Sequence, residues 1–196
     1  MHPLFSTVID KIARLPGLGP RSARRILMHF IKNQHNLLYP FIQELERLSK
    51  SIKLCPICHN MDITSPCEIC TNRQRFKHQL CIVSDINDLW AIEKTGIYSG
   101  KYHVLGGILS AVQGTGPDQL HTKSLLERVK DSTVQEVIIA LPPTLDGQVT
   151  VGYLSDLLKN FDGMVTTLAH GVPLGTELEY IDDGTLSLAF RQRKTT

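Results

Sequence analysis

Long apolar runs are missing from this sequence of 196 residues, so no segment is predicted to cross a bilayer. The opening residues, MHPLFSTVID, have neither the basic start nor the apolar stretch of a secretory signal, and we therefore expect a cytoplasmic protein without disulfides. Cysteine is scarce, at five residues. Cys81 lies in an apolar run and is predicted to be a buried small hydrophobe.

The chain also lacks a large net charge, which is only +2, but the charge is unevenly distributed. Residues 1–78 carry 12 Lys and Arg against 5 Asp and Glu, whereas residues 79–196 carry 9 against 14. A basic front and an acidic back favour contact between the front and a polyanion. A chance asymmetry of solvated faces is the alternative that charge alone leaves open.

The other four cysteines form two CxxC pairs separated by eight residues: Cys55, Cys58, Cys67 and Cys70. Two such turns can complete a tetrahedron of sulfur around one ion, and four sulfur ligands leave no position open for a substrate. Redox motifs usually contain a single CxxC, and two disulfides would need an oxidising compartment. The spacing therefore predicts one structural Zn²⁺.

A helical front precedes these cysteines. Apolar residues at helical spacing predict one helix over about 5–15, a second that begins at Pro20 and a third near 38–52. The turn between the first two contains Gly17 and Gly19, which allow close approach of another chain and direct backbone N–H groups outward.

Three arginines follow this turn. Arg21 and Arg25 are four residues apart on one helical face, and Arg24 lies at its margin. A helix N-terminus flanked by these cations suits phosphate, so the hairpin is predicted to bind DNA backbone without reading its sequence. A plain helical hairpin without a ligand is the alternative.

The back half alternates between strands and helices, which predicts a parallel α/β sheet. Trp90 and Tyr153 lie on helices beside apolar neighbours and are expected in the core. The predicted strands are 79–83, 102–105, 136–141 and 165–169, and the predicted helices are 86–95, 117–130 and 149–161.

Several segments, in this order, resemble the RecR family of bacterial recombination mediators over almost the whole chain. They are LPGLGPRSARR (15–25), the four-cysteine segment, TGIYSGKYHVLGG (95–107), PPTLDG (142–147), AHGVPLG (169–175) and LEYIDDGTL (178–186). The resemblance implies a multidomain α/β protein with four parts: a helix-hairpin-helix DNA-binding domain (1–54), a four-cysteine zinc finger (55–70), a Toprim domain (78–173) and a C-terminal arm (174–196).

The resemblance also implies a function. Such proteins form ring-like homo-oligomers, tetramers by family resemblance, that clamp DNA and work with RecO and RecF to load RecA at single-strand gaps. The family is not regarded as enzymatic, and its members are expected in the bacterial cytoplasm near the nucleoid.

Toprim enzymes instead use a glutamate after the first strand and a DxD pair after the third to hold magnesium. Here Ser84 and Asp85 follow the first strand, and Asp146 with Gln148 follows the third, so the set is incomplete. We expect Asp85 and Asp146 to line a partner-binding cleft. His170 has no identifiable nucleophile beside it and is not expected to be catalytic. A phosphoryl-transfer enzyme and a DNA-independent zinc-ribbon scaffold are the alternatives.

Overall fold

A computed structural model describes residues 2–169, 171–173, 175–191 and 193. The chain divides into two compact units, Met1–Ile52 and Lys53–Thr196. None of the helices in the described ranges combines the length and hydropathy that a bilayer crossing requires.

The first unit is helical. It contains α1 (Pro3–Ala13), α2 (Pro20–Lys32), a π-helical turn (Gln34–Leu38) and α3 (Tyr39–Ser51). Ala23 and Leu27 on α2 are its buried apolar residues among those described, and the ring of Phe30 stacks on Phe41 at 5.4 Å. The predicted helical hairpin is present, because Gly17 turns the chain at φ +76° before Pro20 opens α2.

The second unit begins with the cysteine segment. A two-residue hairpin pairs β1 (Lys53–Leu54) with β2 (Met61–Asp62), and the short helix α4 (Glu68–Thr71) follows. Cys67 is the residue that precedes α4, and Cys70 lies within it. We call residues 53–72, including this hairpin and helix, the cysteine knob.

A parallel four-stranded sheet and its connecting helices follow the knob, which confirms the predicted α/β class. Its strand order is β4–β3–β5–β6. The strands are β3 (Gln79–Val83), β4 (Lys101–Val104), β5 (Glu136–Ala140) and β6 (Met164–Thr167), and the connecting helices are α5 (Ile86–Thr95), α6 (Thr122–Val129) and α7 (Leu145–Leu157).

The core covers both faces of the sheet. Along β3, Leu80 and Ile82 belong to one buried cluster, whereas Cys81 and Val83 belong to the cluster on the opposite face. Successive strand residues point to opposite faces, so a strand that is buried throughout appears in the sequence as a continuous apolar run.

Three sequence-based expectations need correction. Trp90 is 59% exposed, whereas Tyr153 packs against the core as expected. The predicted helix 117–130 is a 3₁₀ turn, Pro117–Gln119, followed by α6. The helix predicted at 149 begins at Leu145, and the segment after β6 carries a further helix, α8 (Asp183–Arg191), that was not predicted. His170 lies outside the described residues.

Candidate metal centre and nucleic-acid interface

The four predicted metal ligands come together in the cysteine knob. Their Sγ atoms all lie within 4.8 Å of one another, and none forms a disulfide. Cys55, Cys58 and Cys67 are fully buried, and Cys70 is partly so. This cluster could hold one metal ion. Among the described residues it is the only group of three or more cysteine, histidine or carboxylate side chains with that geometry.

The electrostatics of the knob also favour a cation. Hydrogen bonding with Cys67 raises the pKa of Cys58, while the hydrogen bonds from Cys58 and Cys70 lower the pKa of Cys67. The thiolate of Cys67 is therefore stabilised only while neighbouring cysteines stay protonated and donate hydrogen bonds to it. Four thiolates can coexist in so small a buried space only when a positive ion lies among them.

The knob docks on β4 through both CxxC turns. The N–H of Val104 donates to the carbonyl oxygen of Cys58 at 2.8 Å, which fixes the first turn. The ammonium of Lys101 donates to three carbonyl oxygens at the end of the second turn: Ile69 (2.6 Å), Cys70 (3.1 Å) and Asn72 (2.8 Å).

Histidines line the contact between the knob and α6. The ring of His59 stacks on the ring of His121 at a centroid distance of 3.8 Å. Nε2 of His59 donates to Ser124 Oγ at 2.8 Å, because the Ser124 hydroxyl itself donates to the carbonyl oxygen of His121. His59 is the one non-glycine residue in the described ranges with a positive φ, +61°. The side-chain contacts hold it in a backbone conformation that few residues adopt.

Arg128, on α6, connects this helix to β4. Its guanidinium donates to the carbonyl oxygen of Tyr102 and lies 3.4 Å from Nδ1 of the fully buried His103. Nε2 of His103 donates to the carbonyl oxygen of His121 at 2.8 Å, so Nδ1 is the acceptor. Burial and the nearby guanidinium lower the pKa of His103 to about 3.

The second candidate site is the hairpin before α2. Gly19 is the N-cap residue of α2 and supplies no side chain, and the N–H groups of Arg21 and Ser22 have no acceptor among the described residues. Arg21, Arg24 and Arg25 are all exposed, and within the described part of the chain none forms an ion pair.

The arginines line a groove of about 1010 Å³ on the first unit. His29 and Lys32 extend its lining toward the end of α2, and no carboxylate contributes to it. Sequence reasoning missed these two residues. Their positions, eight and eleven residues after Arg21, are on the same helical face and could have identified them.

The third candidate site lies at the carboxyl edge of the sheet. Asp85 caps α5 by accepting the N–H of Asn87 at 2.6 Å, and Asp146 is in the first turn of α7. Ser84 is buried and donates its hydroxyl to Asp88. The predicted acids therefore follow neighbouring strands, but Asp85 is occupied as a helix cap and neither belongs to a metal-binding group among the described residues.

Comparison with known proteins adds an independent result. A family model described as Toprim domain matches residues 78–169, and one described as RecR, C-terminal, matches residues 171–194. Proteins named recombination protein RecR from Brucella ovis, Brucella canis and Brucella anthropi are each 47% identical over 193 residues, which is 98% of this chain and 96% of theirs. This chain belongs to the RecR family.

Within this RecR family member, the sequence resemblance is thus confirmed, but it did not reveal every residue around the metal centre. Lys101 and Val104 lie within the TGIYSGKYHVLGG segment that carried part of the resemblance, yet nothing in that segment indicated contact with the cysteines. His59 and Arg128 were also missed. Their contacts depend on the chain path between the knob, β4 and α6, which spacing in the sequence does not encode.

Proposed function

We propose that this chain is a non-enzymatic DNA-binding recombination mediator that acts as a homo-oligomer, near the bacterial nucleoid, with RecO and RecF to load RecA. One observation supports the DNA-binding role above all. The N-terminus of α2 has no side-chain cap, is open to solvent and is followed by three exposed arginines without ion-pair partners among the described residues.

Gly19 strengthens this interpretation. Its φ of −108° is accessible to any residue, and a Cβ built there would meet no atom within 4 Å. The fold therefore does not require glycine at this position. We infer that glycine is needed here for the close approach of another molecule, since a side chain would stand between that molecule and the free N–H groups of α2.

The test compares DNA binding by the full chain across a salt series. Each arginine that neutralises one phosphate contributes about 0.9 to the slope of log affinity against log salt. Replacing both Arg21 and Arg25 by alanine should weaken binding and flatten the slope by about two.

A matched variant controls for the loss of two positive charges. Arg47→Ala with Lys50→Ala removes the same charge from exposed positions on α3, where both cations already pair with glutamates. This variant should keep the wild-type slope. An unchanged slope for the Arg21 and Arg25 variant, or an equal loss in both variants, would contradict the proposal.

We propose that the metal in the cysteine knob is a single structural Zn²⁺. A tetrahedron with Zn–S bonds of about 2.3 Å places sulfur atoms about 3.8 Å apart. The Sγ atoms of Cys55 and Cys70 are 3.9 Å apart, and those of Cys58 and Cys67 are 3.5 Å apart. When bound, such an ion would cross-link the two CxxC turns. It would not take part in catalysis, because its four ligands leave no open position for water or substrate.

Elemental analysis checks the zinc proposal. The wild-type chain should contain one zinc, and Cys58→Ser should lose it and unfold the knob. Cys81→Ala is the matched control, since it removes a buried thiol outside the cluster and should keep the zinc. A wild-type protein that is fully folded without metal would refute this part of the proposal.

For the carboxyl edge we propose partner binding through Asp85 and Asp146. Asp85→Asn keeps an oxygen to cap α5 while removing the charge, so the pair Asp85→Asn and Asp146→Asn should weaken RecO binding without unfolding the sheet. Phosphoryl transfer is the competing function. Magnesium-dependent cleavage or synthesis of DNA that disappears in Asp146→Asn would favour the enzyme.

A further inference from the structure

The metal centre poses a question of charge balance. Four thiolates around one divalent ion carry a net charge of −2, and three of the four cysteines here are fully buried. A buried charge is strongly unfavourable unless opposite charge lies nearby. Two partly buried cations of the second unit contact the knob or its supporting strand and form no ion pair among the described residues: Lys101 and Arg128.

Lys101 contacts the second CxxC turn directly. Its ammonium binds three backbone carbonyl oxygens there, one of them that of the ligand Cys70. These carbonyl oxygens hold the positive charge of Lys101 against the backbone of the ligand Cys70.

Arg128 approaches from α6. It is partly buried and directs its guanidinium at the carbonyl oxygen of Tyr102 and at Nδ1 of His103, which are both uncharged acceptors. Burial lowers the pKa of Arg128, and the groups that oppose this shift are the four cysteines. Arg128 and Lys101 line one cavity of about 340 Å³ together with the ligand Cys70. Two carboxylates, Glu127 and Asp131, also line this cavity, but neither forms an ion pair with the guanidinium.

We propose that Lys101 and Arg128 are the counter-charges of the metal centre and set its affinity for a divalent ion. This inference rests on the proposed zinc centre. The two residues act as positioning residues, because neither supplies a ligand atom. Their charge lowers the energy of the tetrathiolate, and the hydrogen bonds of Lys101 tie the second CxxC turn to β4. Metal affinity then belongs to the whole second unit and not to the 16 residues of the two CxxC pairs.

The test titrates the full chain with Co²⁺, whose thiolate charge-transfer absorbance reports binding, in competition with a chelator. Lys101→Met and Arg128→Met should each raise the dissociation constant at least tenfold. Lys101→Arg, which keeps the charge, should remain close to wild type. If Lys101 served only as a helix cap, charge would not matter, and Lys101→Gln, an uncharged donor, would bind as tightly as Lys101→Arg.

Lys130→Met is the matched control. Lys130 is exposed, pairs with Glu127 and lies just beyond α6, so its loss removes the same charge from a solvent-exposed ion pair and should leave Co²⁺ affinity unchanged. Circular dichroism with saturating zinc checks the fold of each variant. Should Arg128→Met fail to fold, the Lys101 series decides alone.

The outcomes separate the two proposals. If the wild-type chain binds neither Co²⁺ nor Zn²⁺, the zinc centre itself is wrong. If the wild type binds and the Lys101→Met and Arg128→Met variants have the wild-type dissociation constant, the zinc centre stands and the counter-charge inference is overturned.

Discussion

At the scale of single residues, the two glycines of the hairpin serve different ends. Gly17 has a φ of +76°, a conformation that side chains disfavour, so the turn itself requires it. Gly19 has an ordinary φ, and a Cβ there would meet no atom within 4 Å, so the fold does not require glycine at this position. Substitutions at Gly17 and at Gly19 should therefore separate an effect on stability from an effect on the proposed DNA binding.

Gly19→Ser is predicted to leave the first unit at least as stable as wild type while weakening DNA binding. Serine is a favoured N-cap, and its oxygen would accept an N–H of α2 that we propose for phosphate. One lost hydrogen bond of about 1 kcal/mol corresponds to about a fivefold loss of affinity. Gly17→Ala should instead lower the free energy of unfolding by about 1 kcal/mol. Urea unfolding and DNA titration of both variants check this, and wild-type affinity in Gly19→Ser would count against it.

His103 predicts a pH dependence of stability. Burial and Arg128 lower its pKa to about 3 in the folded protein, whereas an unfolded histidine titrates near 6.5. Between these values the unfolded state binds the extra proton. The free energy of unfolding should therefore fall as the pH drops below about 6.5, by up to about 1.4 kcal/mol per pH unit.

Urea unfolding with saturating zinc at about pH 7 and about pH 5.5 measures this slope. His103→Gln cannot take up the proton and should show a shallower slope than wild type, whatever its absolute stability. Equal slopes in the two proteins would show that another group is responsible.

The residues in and around the cysteine cluster illustrate which contacts can be predicted from the sequence. The cysteines were predictable because each CxxC turn is local and the spacing of its ligands is fixed by one turn of chain. Lys101 binds a carbonyl oxygen 31 residues earlier in the sequence, and its contact exists only because β4 passes beside the knob. The spacing of residues along the sequence gives no information about such a long-range contact.

At the scale of elements, helix existence was predictable and helix starts were less so. The helix α7 begins four residues before its predicted start. Its N-cap is Thr144, whose hydroxyl accepts the N–H of Gly147 at 3.1 Å, and this cap fixes the earlier start. The helix predicted over 117–130 is interrupted because the N–H of His121 donates to the carbonyl oxygen of Leu105 at 2.8 Å, a long-range bond.

The exposure of Trp90 has a simple geometric cause. Leu89, one position earlier on α5, is buried at 1% exposure. Successive residues on a helix are rotated by about 100°, so the neighbour of a residue that faces the core points along the surface. Apolar neighbours in the sequence were a poor guide to burial there.

Two glycines of α7 give a matched prediction. A Cβ at Gly147 would lie 1.9 Å from the carbonyl oxygen of Pro142, whereas a Cβ at Gly152 would meet nothing within 4 Å. Gly147→Ala should destabilise the second unit by about 2 kcal/mol or more, because backbone must move. Gly152→Ala should stabilise it by about 0.5–1 kcal/mol through helix propensity. Thermal or urea unfolding distinguishes the two, and equal effects would contradict the geometry.

At the scale of the whole molecule, α3 bears on the proposed homo-oligomer. Five apolar residues along it and at its end are between 44% and 49% exposed: Phe41, Ile42, Leu45, Leu48 and Ile52. A face of this kind favours association, since burying it removes apolar surface from water.

Leu45→Glu is accordingly predicted to lower the mass of the protein in solution. The charge would have to be buried in an association formed by this face. Light scattering across a concentration series measures the mass, with Glu46→Gln as a control that alters an exposed residue of the same helix. A wild-type chain that is monomeric at every concentration would refute the oligomer, and an unchanged mass in Leu45→Glu would place the association elsewhere.

The docking of the cysteine knob also protects the edge of the sheet. β4 is the outermost strand of its sheet, and an outermost strand with free backbone groups can recruit a strand from another molecule. Here the outward N–H of Val104 is taken by Cys58 and the outward carbonyl of Tyr102 by Arg128. If the knob detached on loss of the proposed metal, we would expect the N–H of Val104 to become free, and this outermost strand could then pair with a strand of another molecule and start aggregation.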